Sequence, residues 1–190
     1  YVKSILKRSE KIVDNLGITD PAVKQNVLYI LANRYFKLND IYEVRDQKVK
    51  YAKAVLTGAS KQAAIEAAEL EKDATLYRCH FEFPASLSLY INDKQIDAIK
   101  DGMTYNSLQV QYESLVDMVP SLTEEEKKQI YAWYKEAREF SMDAENSDKK
   151  HAAFNKYKGR INNYLTKRGY DLVKERNEWY KRLKAAGKKI

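Results

Sequence analysis

Apolar positions recur at helical spacing through most of the chain. Val2, Ile5, Ser9, Ile12, Val13 and Leu16 share one face, and Gly17 stops the run. Asp20 is then a natural N-cap, with Pro21 suited to the first helical position. Behind it Leu28, Leu31, Tyr35, Leu38, Tyr42, Arg45 and Val49 form an unbroken seam, widened by Val27, Ile30, Ile41 and Val44, which predicts a long central helix ended by Gly58. Ala63, Ala67, Leu70, Ala74, Tyr77 and Phe81 keep the same register in the next helix, and their alanines would permit close helix–helix approach. Pro84 interrupts that pattern, and residues 86–100 read as short, broken helix.

Residues 103–113 break the period. Leu108-Gln109-Val110-Gln111-Tyr112 alternates apolar and polar, the rhythm of a half-buried strand, and predicts a short extended or β insertion. Thr123 and Glu126 then make a capping box for a helix reaching about Asp143. On it Ile130, Trp133, Ala137, Phe140 and Ala144 read as the core seam. Two more helices cover about 147–168, stopped by Gly169, and 171–187. The expected fold is mainly α: one domain over 1–190, a bundle of about six or seven helices with the insertion near 103–113.

Composition narrows the class. The chain has 190 residues, enough for a core without staples, and its 15 Tyr, 5 Phe and 2 Trp supply apolar surface that disordered chains lack. The longer uncharged stretches, 83–92 and 102–112, are too short and too polar to span a bilayer. Cys79 is the single cysteine, which excludes an intrachain disulfide, zinc ribbons and CxxC chemistry. His80 and His151 make no HxxxH or HExxH pattern, so no metal or cofactor is expected. There is no GxSxG, no Gly-rich phosphate loop and no Ser/His/Asp arrangement.

Charge changes the picture more. The net charge is +7, but residues 147–190 hold 14 Lys+Arg against 4 Asp+Glu, and residues 1–146 hold 20 against 23. A net +10 tail beside a net −3 body points to an anionic partner. On the 147–168 helix, Phe154, Tyr157, Ile161, Tyr164 and Leu165 make an apolar stripe, while Lys149, Lys156, Arg160, Asn163 and Lys167 make a stripe of donors for carboxylate, phosphate or sulfate oxygens. Nucleic acid is disfavoured by the lack of a recognition motif and by the acidic remainder. Arg34 and Arg45, on or beside the apolar seam of the long helix, are either structural ion pairs or a clamp for a ligand carboxylate. Trp133, Tyr134, Tyr157 and Arg138 could contribute rings and a guanidinium to a sugar platform, with core packing as the alternative.

Several segments carry a family likeness: 133–139, Met142-Asp143-Ala144, 150–154, 156–165, Gly169-Tyr170-Asp171, Leu38-Asn39-Asp40-Ile41 and 100–105. Together they resemble domain of unknown function family 3826, secreted Bacteroidetes proteins often encoded beside polysaccharide-degradation genes, including those for pectin. The resemblance implies export to the periplasm or beyond and sugar binding, and supplies no catalytic residues. The chain begins at Tyr1, which fits a cleaved signal peptide or a trimmed chain. The expected function is non-catalytic binding or handling of an acidic, pectic carbohydrate. The alternatives are a lyase or hydrolase on such glycans, and a helical envelope scaffold without a small ligand.

Overall fold

The structure is a computed structural model that describes residues 1–188. Its described residues form nine α-helices and one 3₁₀ turn, more than the six or seven expected, and contain no strand. Two compact units are distinguishable, Tyr1–Ile99 and a second beginning at Lys100. No helix among the described residues is long and apolar enough to cross a membrane.

The first unit opens with α1 (Val2–Val13) and a 3₁₀ turn (Asp14–Leu16), closed by Gly17 in the left-handed region at φ 66°. The long helix α2 (Pro21–Val55) starts as its sequence dictates: Asp20 Oδ1 accepts from the N–H groups of Ala22 and Val23 at 2.8 and 3.3 Å. Its first half buries Val27, Leu31, Ala32, Tyr35 and Leu38, and α1 adds Ile5, Ser9, Ile12 and Val13. Farther along, Ile41, Tyr42, Arg45 and Val49 are only half-buried, so the seam read as continuous core loosens there.

α3 (Gly58–His80) corrects the sequence reading. Gly58 does not end α2 but opens α3, at φ 55°. The face turned inward carries Ala68 and Cys79, with Ile65, Lys72 and Leu76 half-buried, whereas Ala63, Ala67, Leu70, Ala74, Tyr77 and Phe81 are all exposed. An alanine-rich helix has two faces with 3–4 spacing, and this one packs the side whose small residue Ala68 admits α2 closely. Next come α4 (Glu82–Leu87) and α5 (Asp93–Met103), where Asn92 and Gln95 bond reciprocally, side chain to backbone N–H, at 2.9 and 3.1 Å.

In the second unit, α6 (Ser107–Met118) occupies the segment expected to be extended. Leu108, Leu115 and Val119 are buried, with Tyr112 and Val116 against the same core, while Val110 is 54% exposed. The 3.6-residue period over 108–119 outweighs an alternation only five residues long. α7 (Glu124–Met142), α8 (Ser147–Lys167) and α9 (Leu172–Ala185) complete the unit. The capping box is present, with Glu126 N–H to Thr123 Oγ1 and Thr123 N–H to Glu126 Oε2 at 3.2 and 2.9 Å. The core seam of α7 is Ile130, Tyr134, Ala137 and Ser141, rotated from the expected one, so that Phe140 is 63% exposed and Trp133 half-buried.

Candidate functional site

α7 and α8 pair side by side and share the core of the second unit. α8 buries Phe154, Tyr157, Ile161 and Leu165, as its pattern dictates. Its other side is fixed by the same periodicity. Lys149, Lys156, Arg160, Asn163 and Lys167 lie within ~60° of one another around the axis and are all exposed. With a 1.5 Å rise per residue, the ridge runs for ~27 Å.

Aromatic rings border this ridge. The exposed Phe140 of α7 lies 6.3 Å from Tyr157, centroid to centroid. The Arg160 guanidinium sits 4.7 Å over the Tyr157 ring. A step farther, Trp133 meets Tyr164 edge-on at 5.0 Å, and the Arg168 guanidinium covers Tyr164, also at 5.0 Å. Rings and guanidinium groups thus alternate beside the cations of α8. Phe140, Tyr164 and Arg168 escaped the sequence reading as ligand contacts, because Phe140 and Tyr164 fit apolar stripes. The available signal was the spacing of Tyr157 to Arg160 and Tyr164 to Arg168, three and four residues apart.

One acid interrupts the ridge. Arg160 Nη1 lies 3.4 Å from Glu136 Oε2, both side chains about half exposed. That separation exceeds the 2.7–2.9 Å of a strong charge-assisted bond, so an incoming carboxylate can compete for the guanidinium. Burial, and then the Glu136 carboxylate, push the Tyr157 hydroxyl up to about 12, which keeps it protonated and a donor.

The remaining sequence candidates lie elsewhere. Tyr134 is buried against Phe154, and burial pushes its hydroxyl up to about 12. Arg138 is buried and donates through Nη1 to Asp101 Oδ1 at 2.7 Å. Beside it Lys150 Nζ donates to the Met103 carbonyl at 2.8 Å, and Lys100 pairs with Glu139 at 2.8 Å. These contacts lie within the second unit and fasten residues 100–103 to α7 and α8. Lys150 also brings a cation to the negative end of the α5 dipole.

Arg34 and Arg45 belong to the first unit. Buried Arg34 donates to the Cys79 carbonyl at 3.0 Å, 5.7 Å from the Phe83 ring centre. Arg45 reaches Glu69 at 3.0 Å and Asp46 at 2.6 Å. Arg45 lines a cleft of about 270 Å³ between α2 and α3 with Lys48, Glu71 and Lys72; Lys48 pairs with Glu71, and Lys72 with Glu69 at 2.8 Å. The two arginines therefore tie α2 to α3 within the first unit. No group of three His, Cys, Asp or Glu among the described residues is placed to hold a metal ion.

The fold and this face define a class: an all-helical protein that presents a cationic ridge bordered by aromatic rings. The chain belongs to the family described as Protein of unknown function (DUF3826), which it matches over residues 2–185. No curated protein matches it significantly.

Proposed function

We propose that this protein is exported and binds an acidic polysaccharide, of the uronic-acid type found in pectin, along the α7–α8 face without transforming it. The observation that carries the reading is the ridge of Lys149, Lys156, Arg160, Asn163 and Lys167, exposed throughout and flanked by Phe140, Tyr157, Trp133 and Tyr164. An extended polymer suits a ridge better than a compact ligand does, because successive cations lie ~6–10 Å apart along the axis. Carboxylates would meet Arg160 and the lysines, Asn163 would bond hydroxyls, and the C–H faces of sugar rings would lie on Phe140 and the exposed part of Trp133, with the buried Tyr157 ring backing Phe140 and Arg160. The likeness to secreted proteins encoded beside pectin-degradation genes supports the choice of polymer.

The test is calorimetric titration with galacturonan oligosaccharides, using neutral galactan as control. The reading expects binding to the acidic sugar alone, weakened by roughly tenfold in Arg160→Ala, about the loss of one charge-assisted contact. Equal binding of both sugars, or full affinity in Arg160→Ala, would refute it.

A further inference from the structure

The exposed face of α3 has a second use. Ala63, Ala67, Leu70, Ala74, Tyr77 and Phe81 are spaced by 4, 3, 4, 3 and 4 residues, the seam of a coiled coil. Leu70, Tyr77 and Phe81 are 63%, 70% and 59% exposed, although the opposite face of the same helix packs on α2. Phe81 continues the helical path at φ −77°, ψ −24°, and its ring meets Tyr77 edge-on at 5.5 Å. Three large apolar side chains and three alanines in one open row form a continuous apolar patch, of the kind that marks an interaction surface.

The charges beside the seam specify the occupant. Glu71 and Arg78 flank it on one side, Glu66, Asp73 and His80 on the other. Placed antiparallel to a second copy, with the two-fold axis between residues 75 and 76, the seam stacks Ala74 against Tyr77 and Leu70 against Phe81. Each small residue at the centre then faces a large one. The same register sets Glu71 opposite Arg78 and Asp73 opposite His80, each twice by symmetry.

A shift of one heptad one way brings Glu71 against Glu71 and Asp73 against Asp73. A shift the other way brings Arg78 against Arg78, and a parallel pair brings Glu66 against Glu71 alongside Asp73 against Arg78. Like charges at flanking positions oppose pairing, so the antiparallel register, which alone of these sets no like charges together, is favoured. We infer that α3 mediates self-association: two copies pair through an antiparallel α3–α3 coiled coil centred between residues 75 and 76. A two-fold contact of this kind is self-complementary and closes at two copies.

Sedimentation equilibrium of the full chain, from low to several hundred micromolar, tests this. The wild type is expected to shift with concentration from 22.1 kDa towards twice that mass. Leu70→Glu places a carboxylate on the exposed seam and is expected to weaken pairing by at least about tenfold while leaving the circular dichroism unchanged. Glu71→Arg and Arg78→Glu should each weaken it, and the double swap Glu71→Arg/Arg78→Glu should restore it. A monomer at every concentration, or a dimer insensitive to Leu70→Glu, would overturn the inference. A double swap that fails to recover would overturn the register.

Discussion

Replacing Glu126 by Gln probes the joint between the start of α7 and the turn after α8. The buried carboxylate accepts from Thr123 N–H at 2.9 Å and from the Tyr170 hydroxyl at 2.6 Å on Oε2, and from Arg168 Nε at 2.8 Å on Oε1. Burial pushes this carboxyl up, but those donors outweigh it and hold the group down at about 2. A glutamine oxygen can keep the Thr123 and Tyr170 bonds. Its amide then turns N–H towards the Arg168 N–H, so the charge-assisted bond is lost and two donors face each other. That loss is worth about 1.5–3 kcal/mol, and removing a negative charge from the first turn of α7 adds ~0.5 kcal/mol.

The acid dependence gives an independent ceiling. The folded pKa of about 2 lies below the ordinary 4.5, so the unfolded chain takes up the proton first. The stabilisation is complete above the unfolded pKa and is lost as pH falls through the folded one. Linkage over that interval allows at most about 3.4 kcal/mol. Arg168 is partly exposed, and solvent screening reduces this to roughly 2 kcal/mol. Both tryptophans, Trp133 and Trp179, lie in the second unit, so their fluorescence during urea unfolding reports on it directly. Glu126→Gln should cost about 2 kcal/mol at neutral pH, and the gap to wild type should close between pH 4.5 and 2. A cost below ~0.5 kcal/mol, or a gap independent of pH, would refute the reasoning.

The other predictions concern α6, α5 and the ridge. Leu108→Ala should cost about 2–4 kcal/mol by opening a cavity, and Val110→Ala almost nothing; a strand would place both on one face and make them behave alike. Arg138→Met should cost about 3 kcal/mol, because it leaves the Asp101 carboxylate half-buried beside an apolar chain. Urea unfolding should show Asp101→Asn recovering much of that loss in the double variant. Glu136→Gln removes the one acid beside Arg160 and should strengthen binding to galacturonan oligosaccharides by about 2–5-fold, read by calorimetry.

Much of the fold was legible because helix boundaries rest on local chemistry. Asp20, Pro21, the Thr123–Glu126 box, Gly17 and Gly169 act within a few residues of themselves and sit as the sequence implied. The choice of face was less legible. On α3 the apolar row from Ala63 to Phe81 and the row through Ala68 and Cys79 are both helical stripes, and only packing against α2 decides between them. On α7, Trp133 and Phe140 satisfy the period as well as Tyr134 and Ser141 do. Buried Arg138, drawn to Asp101, accompanies the orientation with Tyr134 inside. Short windows mislead most, as the five-residue alternation in α6 shows.

The ridge was legible because α8 segregates its faces cleanly: Phe154, Tyr157, Ile161 and Leu165 turn inward and leave the cations outside. Of its aromatic border, Trp133 and Tyr157 were candidates in the sequence, but Phe140 and Tyr164 were not, since only the pairing of α7 with α8 brings the α7 rings to the ridge. Arg34 and Arg45 showed their residue type but not their partners, which come from α3, 24 to 45 residues farther along the chain.

The salt dependence of galacturonan binding reads out the part that the α8 cations play. It should be measured for the wild type and for a variant with Lys149, Lys156, Arg160 and Lys167 changed to Gln. Wild-type affinity should fall steeply as salt rises, and the variant should bind far more weakly with a much shallower slope. Equal affinity and equal slope in the two proteins would contradict binding along the ridge.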